Sequence, residues 1–526
     1  MDYVDYKTYS RRVIQKNEYL IMEQKIKSQI KIFILATVLI YLPFMFYISR
    51  AMMLDDALIH LRYAINMYKH GIVTYDGEIK TYGTSSTFFT LLVGLAYQIT
   101  HSVFSPKIIS IIFYLSTIGL ILIKHFKSKT NQYIWISLYI ILLTPLSIRW
   151  LTDGMETSLV FFVCISLSLI TFEIVQNSIQ SKKDYLFYFI FGLFISLVRI
   201  ELTYLILFST LTILYFHLKK DNFIICLIKN NPLALGALFG ILIIFYYYGY
   251  ILPDTAIAKK SAPSLLLILT LVKATFTSLS FGIGLLLLIF ISFGIIINKK
   301  SEIYIKLGSK KIVNATILIN LSLAIFIVII SIKGQKIEGI RHFLWLYAFI
   351  TGWNLIVITS CIDHIKYNYK FVVIFITTVI FLFVPEFYLF QRISNGRNKA
   401  LYTMNDSNLT FLKNDIGLAA DIGYIGYFSE ASICDMLGLI GGREFAILNT
   451  EQRIEECLKK DLGFLFLDIG EIEVIRKKIE YIGQWCVYDK YDFPNVSSMD
   501  THYLILNPKK YNHKCNATSL TVNEIK

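Results

Sequence analysis

Long apolar runs separated by short polar links fill the chain from residue 32 to residue 390. A helix that crosses a bilayer needs roughly 20 mostly apolar residues. Runs that approach or reach this length lie near 32 to 48, 87 to 101, 107 to 123, 133 to 148, 157 to 175, 185 to 198, 201 to 216, 233 to 250, 280 to 297, 312 to 332, 343 to 362 and 371 to 390. After the first run, Leu54, Leu58, Leu61, Ile65 and Tyr68 recur at helical spacing, which predicts an amphipathic helix lying on the bilayer surface. Beyond Phe390 the long apolar runs stop. Ile416 to Ala420, Gly463 to Asp468, Trp485 to Tyr488 and Tyr503 to Asn507 read as short strands, and Ile472 to Ile482 as a helix. The expected fold is an all-α polytopic membrane domain of about 11–12 transmembrane helices with a small C-terminal α/β extramembrane domain. Residues 1–31 would form an N-terminal segment, 32–390 the transmembrane domain and 391–526 the C-terminal domain.

Composition agrees with this class, since 55% hydrophobic and 17% charged residues are far from soluble averages. A net charge of +14 raises the question of nucleic acid, but the Lys and Arg side chains sit mainly in the links between apolar runs. That is the pattern of topogenic charge, and it excludes nucleic acid as a partner. Lys7, Arg11, Arg12, Lys16, Lys25, Lys27 and Lys31, and later Lys299, Lys300, Lys306, Lys310 and Lys311, place their segments in the cytoplasm. One outer face then collects Asp55 to Thr84, Asp153 to Thr157, Arg199 to Glu201, Ile251 to Ala262, Lys333 to His342 and the tail. The basic link Lys124 to Lys129 conflicts with two successive spans at 87 to 101 and 107 to 123, so one of these is expected to be re-entrant or interfacial. Of the seven Cys, none shows metal-ligand spacing, and Cys434, Cys457, Cys486 and Cys515 are free to pair if the tail is in an oxidising compartment.

Ionisable residues at membrane edges are functional-site candidates, because charge is costly in hydrocarbon. Asp55 and Asp56 open the amphipathic helix, with Arg62 seven residues after Asp55 and His60 four after Asp56. Capping beside the helix dipole is the competing reading of such a pair. Asp153 and Glu156 stand where a run re-enters the membrane. Arg199 and Glu201 interrupt an apolar stretch; as i and i+2 on a helix they would diverge, which points to a cavity rather than an internal ion pair. Lys259, Lys260, Lys333, Lys336, Arg341 and His342 put positive charge on the outer face against the usual bias, as expected of residues that bind an anion such as a lipid-linked phosphate.

These residues resemble the GT-C superfamily of polytopic glycosyltransferases that use polyprenyl-phosphate sugars, especially the terminal arabinofuranosyltransferases and their uncharacterised bacterial relatives. Asp55-Asp56-Ala57-Leu58-Ile59 followed by Arg62-Tyr63-Ala64 is similar to their acidic opening, Tyr82-Gly83-Thr84-Ser85-Ser86 to a following turn, and Gly154-Met155-Glu156-Thr157 to a third element. Arg199-Ile200-Glu201-Leu202, Leu252-Pro253-Asp254-Thr255 with Ala258-Lys259, and Arg341-His342-Phe343-Leu344-Trp345 follow in order. In the tail, Ala420-Asp421-Ile422-Gly423-Tyr424-Ile425-Gly426-Tyr427-Phe428 and Cys434-Asp435-Met436-Leu437-Gly438-Leu439 continue the likeness.

The resemblance implies a catalytic membrane domain whose site lies on the outer, periplasmic face of a bacterial cytoplasmic membrane. It implies transfer of a sugar, with inversion, from a polyprenyl-phosphate donor to a cell-envelope glycan or glycolipid acceptor. Asp55 would be the general base, with Asp56 and Glu156 as further catalytic residues. Lys259, Arg341 and His342 would take the donor phosphate, and Arg62, Tyr82, Thr84, Arg199 and Glu201 would line the substrate cavity. A divalent metal held by Asp55 and Asp56 stays open. A secondary transporter or flippase of lipid-linked sugars is the alternative class, set apart by internal repeats and midplane charges, neither of which the sequence displays.

Overall fold

A computed structural model describes residues 28–29, 31–77, 79–127, 138–177, 179, 181–217, 223–258, 314, 316–317, 344–361, 369–478, 484–494, 499–515 and 521–522. Contacts divide the chain into two compact units, Met1–Arg50 and Ala51–Lys526. The first holds helix α1 (Lys31–Ile48), predominantly apolar, with a π-helical turn at Thr37–Tyr41.

The second unit begins with α2 (Asp55–His70), then α3 (Thr87–Thr100), α4 (Ser105–Lys127), α5 (Pro145–Thr152), α6 (Thr157–Asn177), α7 (Lys182–Val198) and α8 (Thr203–His217). After these come α9 (Phe223–Asn230), α10 (Pro232–Tyr248), the short α11 (Asp254–Ala258), α12 (Leu344–Cys361) and α13 (Tyr369–Asp406). Among the described residues four helical stretches are long and apolar enough to cross a membrane: Lys31–Ile48, Ser105–Lys124, Thr157–Asn177 and Ile200–His217. The expected spans at 280 to 297 and, apart from residues 314, 316 and 317, at 312 to 332 lie outside the described residues.

Two expected spans differ in the structure. α3 has 14 residues, about 21 Å at 1.5 Å per residue, against a hydrocarbon core of about 30 Å; of the two segments in conflict over the basic link, it is the one that falls short. The run at 133 to 148 is interrupted at Thr144, which is extended (φ −67°, ψ 149°) ahead of Pro145, because the proline ring disfavours helical backbone at the residue before it. α7 and α10 pack closely through small residues: a Cβ on Gly192 would stand 2.1 Å from the Leu233 carbonyl oxygen, and one on Gly236 1.9 Å from that of Phe189. Such close approach of two backbones maximises dispersion contacts between the helices.

α13 runs on without a break past residue 390 into the C-terminal region. There β1 (Ile416–Ala419), α14 (Ile422–Ser429), β2 (Ser432–Asp435), α15 (Arg443–Ile447), α16 (Thr450–Leu458), β3 (Leu462–Asp468), α17 (Ile469–Arg476), β4 (Cys486–Pro494) and β5 (Met499–Leu506) follow. The five strands form one sheet in the order β2-β1-β3-β5-β4. β2, β1 and β3 are parallel, with Leu418 opposite both Cys434 and Leu465, and β5 runs antiparallel between β3 and β4. β3 is buried along Leu462–Leu467, the continuous apolar run of a strand covered on both faces. Leu418, Ile454, Leu465, Ile475 and Ile505 form its core with the disulfide Cys434–Cys457, and Cys486–Cys515 closes the far edge. The expected α/β tail is therefore present, with strands overlapping those foreseen at Ile416, Gly463, Trp485 and Tyr503; β2, α14, α15 and α16 are additions that the sequence pattern missed.

Candidate active site

α2 starts with two acidic residues and ends with Lys69 and His70 ahead of Gly71 in the left-handed conformation (φ 73°), charges that complement the helix dipole at both ends. Both of its sides are covered by protein. Leu58 and Leu61 are buried as the apolar pattern requires, but so are Ile59, His60, Tyr63 and Ala64. α14 and α3 both pack against α2, while its last turn, Tyr68 to His70, stays exposed.

The stretch leading into α2 is pinned from four directions. Leu54 N donates to the Asp153 carbonyl at 3.1 Å. The Lys107 ammonium on α4 donates to the Met52 and Thr152 carbonyls, both at 3.0 Å. On α13, Arg397 donates to the Met53 carbonyl at 3.1 Å, while Ala51 N donates to the Asn398 side chain at 3.1 Å. Tyr424 of α14 also reaches the Met53 carbonyl, at 3.0 Å.

So held, Asp55 faces the first turn of α14. Gly423 N donates to its Oδ2 at 2.8 Å and Tyr424 N to its Oδ1 at 2.7 Å. Burial, with the nearby Asp421 and Asp56 carboxylates, pushes the Asp55 carboxyl up to about 8 against the pull of these two N–H donors. That range suits a group that must exchange a proton near neutrality. Asp56 stands half-buried on the same turn. Arg62 does not pair with Asp55 along the helix. Its guanidinium stacks 4.4 Å over the Tyr75 ring and donates to the carbonyls of Tyr75 (3.0 Å), Ala431 (2.7 Å) and Gly426 and to Asp76 (3.2 Å). It fastens α2 to the C-terminal region.

A second polar group lies on the other side of α2. Glu156, 2% exposed, accepts from the Ser85 hydroxyl at 2.6 Å and lies 3.4 Å from both His60 Nε2 and Arg199 Nη1. Burial raises the Glu156 carboxyl, but the His60 hydrogen bond and the Arg199 charge outweigh it and hold the group well below the usual carboxylate range. His60 Nδ1 is 2.8 Å from the Thr90 hydroxyl. Arg199 also pairs with Glu201 at 3.0 Å, their side chains 16% and 35% exposed, so the chain of charges runs from the interior outward. This corrects the expected divergence of Arg199 and Glu201. The backbone is extended at Arg199 (φ −158°, ψ 131°) between α7 and a 3₁₀ turn at Ile200–Leu202, and helical spacing does not apply there.

The turn Tyr82–Ser86 is tied to Leu252–Thr255: Tyr82 N donates to Asp254 Oδ2 at 3.0 Å, Asp254 N donates to the Tyr82 carbonyl at 2.8 Å, and Tyr82 stacks on Tyr248 at 4.2 Å. Burial raises the Asp254 carboxyl. Thr84 is buried, and its hydroxyl makes no hydrogen bond among the described residues. Lys259, Arg341 and His342 lie outside the described residues. Among the described residues no group of three His, Cys, Asp or Glu side chains is placed to hold a metal ion, so Asp55 and Asp56 find no further ligands there. Sequence reading missed the central place of His60 and the role of Gly423 and Gly426. Their spacing of three, which puts two small residues on one helix face, is the signal that marks them as a close-packing surface.

No known protein family and no curated protein matches the chain. Solved structures do, among them two of ArnT. ArnT from Cupriavidus metallidurans in the apo state is 11% identical over 91% of this chain and 98% of that one, with a TM-score of 0.53. ArnT from Cupriavidus metallidurans bound to undecaprenyl phosphate is 11% identical over 90% and 97%, with a TM-score of 0.48. The likeness to the apo structure shows that this chain has an ArnT-like fold.

Proposed function

We propose that the chain is an inverting glycosyltransferase, related to the arabinofuranosyltransferase type, that moves a sugar from a polyprenyl-phosphate donor to a cell-envelope glycan or lipid acceptor on the outer face of the membrane. One observation carries the reading. Motif segments distant in sequence meet in space, with Ser85, His60 and Arg199 all on Glu156 and Tyr82 on Asp254. The ArnT-like fold supports it. The two disulfides support placing the C-terminal region in an oxidising compartment.

In the reaction the acceptor hydroxyl oxygen attacks the anomeric carbon from the face opposite the donor phosphate. The bond from that carbon to the phosphate oxygen breaks, its electron pair leaves with polyprenyl phosphate, and the hydroxyl proton passes to the ionised Asp55 carboxylate. Lys259, Arg341 and His342 stabilise the leaving phosphate. Glu156 acts through the buried ion-paired group that fixes Arg199 and His60.

A transporter or flippase would also break a helix at a charged residue, as Arg199 does, but here the charge is matched by Glu156 and Glu201. The test is turnover of a panel of undecaprenyl-phosphate-linked pentoses and hexoses by the purified full chain, followed as release of polyprenyl phosphate. Asp55→Asn is expected to lower release about 10²- to 10⁴-fold. Donor movement across vesicles without release, unaffected by Asp55→Asn, would establish the transport reading instead.

A further inference from the structure

We propose that α14 is the positioning element for Asp55, so that the C-terminal region completes the transfer site instead of sitting beside it. The inference rests on Asp55 being the acid–base group of the proposed transfer. A carboxylate offers four lone-pair directions on two oxygens. The Gly423 and Tyr424 N–H groups occupy one on each oxygen, fixing the plane of the carboxyl and leaving the remaining directions for a substrate hydroxyl.

The sequence is built for this contact. A Cβ on Gly423 would lie 1.9 Å from the Asp55 carbonyl oxygen, so α14 approaches α2 only with glycine there. Three further ties hold the helix in place. The Tyr75 hydroxyl donates to the Ile422 carbonyl at 2.6 Å, Tyr424 reaches the Met53 carbonyl at 3.0 Å, and Arg62 binds the Gly426 carbonyl beyond them. These four contacts fix position and angle together, as a catalytic group requires when a misplacement of about 1 Å costs about 10²-fold. The charged and titratable groups around Asp55 are Asp56 on α2, Asp421 just before α14, Tyr424 on α14, Tyr75 from the following loop and, on the stretch before Asp55, Lys107 on α4 and Arg397 on α13. Behind Asp421 stands His502 of β5, 2.9 Å away.

Two variants of the full chain in nanodiscs test the inference, with the same donor panel and release of polyprenyl phosphate as readout. Gly423→Ala pushes α14 off Asp55; kcat is expected to fall about 10²-fold with donor KM unchanged. Asp421→Asn keeps both N–H bonds but removes a like charge, so the acid limb of the kcat profile should move to lower pH. Should Gly423→Ala fail to fold, the shift in Asp421→Asn decides alone. Wild-type kcat and an unmoved acid limb in the folded variants, with Asp55→Asn inactive, would overturn the positioning role and leave the transfer reading standing. Wild-type turnover by Asp55→Asn would overturn both.

Discussion

Asp254 and Tyr82, far apart in the chain, hold each other by backbone and side chain at once, with N–H bonds of 3.0 Å to the Asp254 carboxylate and 2.8 Å to the Tyr82 carbonyl. The Tyr250 hydroxyl donates to the same carboxylate oxygen at 3.1 Å, while Asp254 Oδ1 makes no hydrogen bond among the described residues. An amide there keeps the accepting oxygen and removes a buried charge. Asp254→Asn should therefore melt at or above the wild-type temperature, whereas Asp254→Ala strands the Tyr82 N–H and costs about 1–3 kcal/mol. Thermal unfolding of both in detergent checks this; equal melting of the two would mean the tie contributes nothing.

Glu156 is the buried counter-charge of Arg199 and should be expensive to remove. Glu156→Ala is expected to cost about 3–5 kcal/mol, while Glu156→Gln, which still accepts from Ser85, should cost less. Because the folded carboxyl lies below its ordinary 4.5, the stability it adds is present above that pH and is lost as pH falls through the folded value. A wild-type melting temperature that declines on acidification below about 4.5, with a shallower decline in Glu156→Gln, is the expected result.

Asp55 carries the opposite sign. Its folded value near 8 lies above the ordinary 3.8, so its contribution is fully present below about 3.8 and is lost as pH rises through 8. Hydrogen exchange of the α14 amides, corrected for intrinsic rate, should show weaker protection at pH 9 than at pH 6. Asp55→Asn should flatten that difference, and an identical pH response in the variant would disconnect Asp55 from the docking of α14.

The Cys434–Cys457 bridge closes a sequence separation of 23 residues. Cys434→Ser should destabilise the C-terminal sheet by about 3 kcal/mol. Alkylation and mass spectrometry of the non-reduced wild-type protein should find Cys434, Cys457, Cys486 and Cys515 all protected. Free thiols at these positions in protein taken from the cell membrane would contradict an oxidising location for this region.

Helix identity was legible wherever a long apolar run had no competing signal, as at Thr157–Asn177 and Ile200–His217, because hydropathy and length suffice there. The start of α2 was legible from its acidic pair, and β3 from its unbroken apolar run. What escaped depended on neighbours. The polar-looking sides of α2 are buried because α14, more than 350 residues later, covers them. β2, with the sequence Ser-Ile-Cys-Asp, is too short to show periodicity. Of the site, Asp55, Glu156 and Arg199 were visible as charges at the edges of apolar runs, and Asp254 only through the resemblance, but their partners were not. Pairing of Arg199 with Glu201 required knowing that the helix breaks, a fact carried by backbone angles rather than by residue spacing.

The 38 residues of α13 form one continuous helix, with Pro385 leaving one gap in its hydrogen-bond ladder, about 57 Å long at 1.5 Å per residue. Its early part is apolar, and its last turns hold Arg397 and Asn398 against the stretch before Asp55. Such a rod carries phase as well as length. Inserting a single residue between Pro385 and Arg397 would turn everything after it by about 100° and advance it 1.5 Å, swinging the sheet and α14 away from α2 without altering any residue of the site. Adding a full turn of about 3.6 residues restores the angle but not the height. The reading frame of the helix thus sets whether Asp55 and α14 can meet at all.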